Sequence, residues 1–215
     1  MHIDKDMADL LDALLPQVPF DGWTQTSVRN ALASIGRPRD DAVLMFPNGA
    51  REMIESTFAL MDQRMAEEAD AADLAAYRLP ARIRAIIAIR LEQTRGNKEA
   101  IRRAFSWLSL PTHAPVAARI TAATVDTIWY AAGDTSADFS WYTKRGILAA
   151  VYSATVLYWL SAHSEGDEAT LRFLDRRLHD VARIGKIRKT LGTRCGRLLP
   201  RRPGRTVPAP ITPQH

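Results

Sequence analysis

Leu171, Leu174, Leu178 and Val181 fall on one face of a helix, and spacing of this kind, not strand alternation, organises the apolar residues of the chain. Alternating Val/Ile/Thr runs bounded by Gly are nearly absent, so the sequence predicts an all-α fold. A first helix runs from Asp4 to Leu15 and is stopped by Pro16 and Pro19. Gly22 and Thr24 open a second, Thr26 to Ser34, which Gly36 closes. A short third spans Arg39 to Leu44, and a long fourth follows Pro47 and Asn48, from Gly49 to Asp70; Ala71 to Tyr77 either continues it or bends. Pro80 starts the next, to Gly96. Asn97 caps another to Leu110, and Pro111 and Pro115 introduce one ending at Ala132. A further helix starts at Ser136 or Asp138 and reaches His163; Gly166 and Asp167 precede the last large one.

Two features modulate this pattern. Gly146 to Leu160 is almost uncharged and apolar on every side, which marks a helix buried in protein or lipid. It is shorter than the roughly 20 residues needed to cross a bilayer, so it reads as the central helix of the domain. Near the C-terminus the apolar face changes: Ile184, Ile187 and Leu191 lie roughly opposite the stripe of Leu171 to Val181, with Gly185 at the change. That predicts a break and a separate amphipathic element with Lys186, Arg188 and Lys189 on its polar side.

A length of 215 residues with 47% apolar content fits one domain, or one and a half, with a real core. The net charge of +5 is unevenly spread. Arg183 to Arg205 carries nine basic residues and no acid, so the remainder stands at −4. Such a tail seeks polyanions, either nucleic acid or anionic lipid. Five prolines in the last sixteen residues predict disorder there. The single cysteine, Cys195, excludes a disulfide frame and a zinc pattern. Asp4, Asp6, Asp9 and Asp12 are unlike a signal or transit peptide, and the expectation is a cytoplasmic, bacterial protein. The segmentation expected is a helix-turn-helix-like part over 1–47, a helical domain over 48–182, an amphipathic segment over 183–193 and a disordered basic tail over 194–215.

Three short helices with glycine turns spell a helix-turn-helix. Gly22-Trp23, Thr26 to Val28, Gly36 and Phe46 resemble the N-terminal part of the tetracycline-repressor family. Where those repressors carry a Tyr and a Lys for phosphate contact, this chain has Val43 and Gly49. Asp40 and Asp41 begin the would-be recognition helix, and residues 1 to 80 hold seven basic against fourteen acidic residues. Phosphate neutralisation drives DNA affinity, so DNA binding is not expected.

The most specific signal is a polar turn, Gly133 to Ser136, followed by Asp138, Phe139, Trp141, Tyr142, Lys144 and Arg145. With Ile128-Trp129-Tyr130 before it, Leu148 to Tyr152 after it and Phe173 to Val181 beyond, this stretch resembles the lipid-binding accessory family of ubiquinone biosynthesis, the ninth of the coenzyme Q series. The resemblance covers Leu10 to Val181 and does not extend to the basic tail. It implies a repressor-like fold without DNA binding, a hydrophobic lipid pocket, an amphipathic C-terminal helix on a membrane and a di-iron hydroxylase as partner. It places Asp138, Trp141 and Tyr142 on the family's partner-facing patch and Arg145 on its lipid-contacting arginine.

The candidate pocket walls are Ile83, Ile86, Ile87, Phe105, Ile120, Leu148 and Tyr152, and the candidate membrane contacts Ile184, Lys186, Ile187, Arg188, Lys189 and Leu191. Read without the resemblance, Trp141 and Arg145 are a cation–π pair, Trp107, Trp129 and Trp159 are core residues, and Asp175 with His179 is a surface contact, not a metal site. With no nucleophile elbow, phosphate-cradling Gly loop or Glu-x-x-His pair, no enzyme, metal or cofactor is expected. The expectation is a non-enzymatic protein that binds an isoprenoid quinone or other lipid and presents it to the hydroxylase. It would act as a homodimer, peripheral on the inner face of the cytoplasmic membrane. The alternative is a ligand-responsive repressor-type transcription regulator.

Overall fold

Asp4 sets the first helix. Its carboxylate accepts the Met7 N–H at 2.9 Å and caps α1, Lys5–Leu14. The structure, a computed structural model, describes residues 2–133, 141–161 and 167–195, with the backbone alone for Trp141, Ala182 and 184–195. A one-turn helix that the prolines had hidden, α2 (Val18–Asp21), follows. Thr24 caps α3, Gln25–Ser34, whose end at Gly36 (φ 73°) closes with the Arg37 N–H on the Leu32 carbonyl at 2.8 Å. A 3₁₀ turn, Arg39–Asp41, then leads into the short α4, Ala42–Met45.

The larger helices are α5 (Ala50–Ala71), α6 (Leu79–Thr94), α7 (Lys98–Leu108), α8 (Ala114–Ala131), α9 (Trp141–Ser161) and α10 (Glu168–Cys195). No strand occurs among the described residues, as the spacing predicted. The Asn97 side chain makes no capping bond to α7, so that start is set by the preceding 3₁₀ turn, Arg95–Asn97.

The central helix is α5, not α9. It packs against α1, α6 and α8 and buries Met53, Ile54, Phe58, Leu60, Met61, Asp62 and Met65. On α9, Gly146, Ile147, Ala150 and Leu157 remain exposed. An all-apolar composition says that a helix wants covering on every side, whereas among the described residues α9 is covered on one side only. The N-terminal helices are tied to α5 by Arg64, which donates two 2.7 Å hydrogen bonds to Asp12, and by the Ile3 N–H on Gln63 at 3.1 Å.

The chain divides into two units, Met1–Leu178 and His179–His215. In the second, the backbone helix passes through Gly185 to Cys195 without the predicted break. Glycine in a helix costs about 1 kcal/mol relative to alanine, which weakens the helix without ending it. The membrane-contact candidates Ile184, Lys186, Ile187, Arg188, Lys189 and Leu191 lie on this helix with side chains outside the description. The tail predicted to be disordered, from Gly196 onward, lies outside the described residues. No helix among the described residues is long and apolar enough to cross a membrane.

Candidate functional site

Four helices line an apolar cavity of about 250 Å³ that opens to the surface beside the exposed Leu157. Phe58 comes from α5, Phe105 and Leu108 from α7, Ala117, Ile120, Thr121 and Thr124 from α8, and Tyr152, Ser153 and Leu157 from α9. Three of the predicted walls, Phe105, Ile120 and Tyr152, meet here. The other four, Ile83, Ile86, Ile87 and Leu148, are buried but are not among the residues lining this cavity. The three isoleucines belong to α6, which packs against α5 and α8.

The floor of this region is polar, which the sequence reading missed. Arg90 on α6 is 3% exposed, and its Nη1 lies 3.0 Å from Oδ1 of Asp62 on α5, which is 7% exposed. The Thr124 hydroxyl is 3.0 Å from each Asp62 carboxylate oxygen. The pair is close but poorly aligned: neither terminal nitrogen of Arg90 directs a hydrogen at an acceptor. Burial pushes the Asp62 carboxyl above its usual range, and the Arg90 charge and the Thr124 hydrogen bond only partly offset it. Burial likewise raises the Tyr152 phenol, with the Arg90 guanidinium beside it pulling the other way. A signal was present. Arg90 stands in phase with Ile83, Ile86, Ile87, Leu91 and Thr94 on the buried face of α6, where an unpaired arginine would be prohibitive.

Phe58 is the partition of the region. It lines the 250 Å³ cavity, a narrow cleft at Arg90, and an open surface cleft of about 550 Å³ bordered by His2, Glu55, Asp62 and Arg119. Its ring lies 5.8 Å from the Arg90 guanidinium and 6.1 Å from the Phe105 ring.

Beyond the cavity, Gly133 ends α8 with φ 74°, and Arg82 closes over that end. The Arg82 guanidinium donates to the carbonyls of Ala132 (3.1 Å), Tyr77 (2.8 Å) and Ala75 (2.7 Å). A Cβ on Gly133 would sit 3.2 Å from Arg82 Nη1. Tyr130 and Tyr142 are each 80% exposed. Asp138 lies outside the described residues, and Trp141 is described by its backbone alone. Arg145 is mostly covered and pairs with Asp126 of α8 at 2.5 Å; it is not among the cavity-lining residues. Trp129 and Trp159 are buried, whereas Trp107 is half-buried and stacks on His113 at 3.5 Å. Asp175 is held by Arg84 at 2.6 Å and 3.2 Å. No cluster able to hold a metal occurs among the described residues.

The fold resembles the TetR transcriptional regulator from Nitrosomonas europaea, with a TM-score of 0.67 and 21% identity over 83% of this chain and 99% of that one. That likeness establishes the repressor-like all-α fold. The COQ9 family profile matches residues 114–185, which hold α8, α9 and the start of α10. The mitochondrial ubiquinone biosynthesis protein COQ9 of Rattus norvegicus is 32% identical over 84% of this chain and 60% of its own length. Those of Homo sapiens (32%) and Drosophila melanogaster (32%) match 58% and 57% of their lengths. The chain thus spans somewhat under two thirds of these relatives.

Their mitochondrial names overturn the expected placement on the inner face of a cytoplasmic membrane. The acidic N-terminal residues that suggested it belong to a folded helix, where Asp4 caps and Asp12 pairs with Arg64. With the repressor-like fold, the match over α8 to α10 and sequence likeness along more than four fifths of its length, the chain is similar to the COQ9 proteins of ubiquinone biosynthesis.

Proposed function

We propose that the protein serves ubiquinone biosynthesis as a non-enzymatic carrier, binding an isoprenoid quinone or other lipid and presenting it to a hydroxylase at a membrane. The observation that carries this reading is the apolar cavity between α5, α7, α8 and α9. Its volume, about 250 Å³, is just below the usual range for small-molecule sites and suits a ring with the first part of its chain. A bilayer holds such a molecule through its tail. Replacing lipid contacts with protein contacts, each CH₂ worth about 0.8 kcal/mol against water, makes extraction nearly neutral and reversible. Tyr142, with Trp141 beside it in sequence, supplies large rings of the kind that dominate interface energy.

The regulator alternative gains little. Asp40 is exposed, and Val43 and Leu44 stand 55% and 78% exposed where a DNA-binding helix needs phosphate donors. Native mass spectrometry of the purified full-length protein, followed by organic extraction, tests the carrier. Co-purifying lipid, or uptake of an added quinone analogue, is the expected result. Well-folded protein that does neither would defeat it.

A further inference from the structure

We infer that the buried Arg90–Asp62–Thr124–Tyr152 cluster is the head-recognition end of the cavity, and that it selects a neutral, oxygen-bearing ring on an apolar chain over an anionic headgroup. The inference deepens the carrier reading and rests on it.

Arg90 is almost wholly buried, yet both of its terminal nitrogens lack a directed hydrogen bond. A buried donor left unmade forfeits its full desolvation energy, and the loss is larger for a charged group. Asp62 relieves this only in part, because it balances the charge at 3.0 Å without a well-directed hydrogen bond and its oxygens also accept from Thr124. A ligand oxygen arriving from the cavity side would supply the rest.

The route is short. Phe58, Phe105 and Tyr152 line both the 250 Å³ cavity and the narrow cleft at Arg90. A planar ring among these three aromatic side chains would bring its substituent oxygens toward the guanidinium. Rotation of Phe58, which also lines the surface cleft, would join the compartments and let a chain trail outward.

Charge decides the class of head. Arg90 and Asp62 cancel, so the cluster offers donors with little net positive potential. A phosphate or carboxylate would meet the Asp62 carboxylate within a few ångströms of the donors it sought, an unfavourable approach in a buried site. A carbonyl, phenol or methoxy oxygen meets no such penalty.

The test uses full-length protein titrated with three probes: decylubiquinone, decylbenzene (the same chain length with no oxygen) and a lysophosphatidic acid. Binding is followed by tryptophan fluorescence, and the fold by circular dichroism. In the double variant Arg90→Met, Asp62→Asn, decylubiquinone affinity should fall at least tenfold while decylbenzene affinity is unchanged. Equal loss for both probes would make the cluster structural only and overturn the inference. So would an unchanged decylubiquinone affinity, or a wild-type preference for lysophosphatidic acid. If the wild type binds none of the three, the carrier reading itself fails. Should the double variant not fold, Tyr152→Phe decides the matter, since it removes a single phenol oxygen beside the guanidinium. A several-fold loss confined to decylubiquinone supports the inference, and no loss overturns it.

Discussion

Asp62 titrates against the usual sense for a salt-bridged carboxylate. Its folded pKa is raised above the ordinary 3.8, with burial the largest cause. The folded state therefore binds this proton more tightly than the unfolded chain does. Its contribution is most favourable at low pH and is lost as pH rises from about 4 through the folded pKa. Melting temperatures of wild type and Asp62→Asn, measured across pH, should show wild type losing ground to the variant as pH rises; a gap independent of pH would refute the shift. A plainer residue effect sits at α3. Thr24 accepts the Ser27 N–H at 3.4 Å and caps the helix, so Thr24→Ala should cost about 1 kcal/mol in a denaturant melt. Capping chemistry at Asp4 and Thr24 is legible in sequence because donor and acceptor lie three residues apart. The Arg90–Asp62 pair was not, since its members are 28 positions apart on different helices and only packing brings them together.

At the level of elements, α9 carries an apolar stripe that the described residues leave largely uncovered. Ile147, Ala150, Ala154 and Leu157 follow steps of three, four and three, the spacing of a coiled-coil seam. Ile147 is 39% and Leu157 56% exposed. The two alanines between Ile147 and Leu157 would allow two copies of α9 to approach closely, as the expected homodimer needs. Ile147→Asp should convert the dimer to monomer in light scattering coupled to size exclusion, with helix content retained; an unaltered mass would place any dimer contact elsewhere. The sequence marked α9 as unusual through composition alone. Composition does not distinguish a helix wrapped by its own chain from one that leaves a face for a second copy, and α5, with more polar residues, took the centre instead. The element starts and stops were readable because proline, glycine and capping residues act locally. The Gly185 break failed because one glycine weakens a helix less than continuous backbone hydrogen bonding supports it.

For the whole molecule, charge asymmetry is the controlling property. Subtracting the nine cations of Arg183 to Arg205 from +5 leaves the rest of the chain at −4. Each cation near an anionic surface contributes about 1 kcal/mol, and three apolar residues insert only shallowly, so membrane attachment should be weak, reversible and salt-sensitive. Full-length protein should float with anionic vesicles at low salt and release at high salt, whereas a version ending at Val181 should stay behind. Equal flotation of both would exclude the segment as anchor, and loss only on removal of residues after Leu191 would shift the role to the basic tail.

What the sequence determined by itself is whatever depends on near neighbours and on summed charge. Helical spacing, proline and glycine stops and the cap residues dictated the all-α order of elements, and the Ile128 to Tyr152 motif was specific enough to point to the family. Of the predicted cavity walls it anticipated Phe105, Ile120 and Tyr152. Only the tertiary structure decided which buried faces meet a void and which meet one another. Ile83, Ile86 and Ile87 share helical phase and burial with Arg90, yet among these four it is Arg90 that reaches the cleft beside the cavity. Phase fixes the direction in which a side chain points from its own helix. What waits on the other side depends on how α5, α7, α8 and α9 cross, and that geometry arises from long-range packing that no local pattern contains.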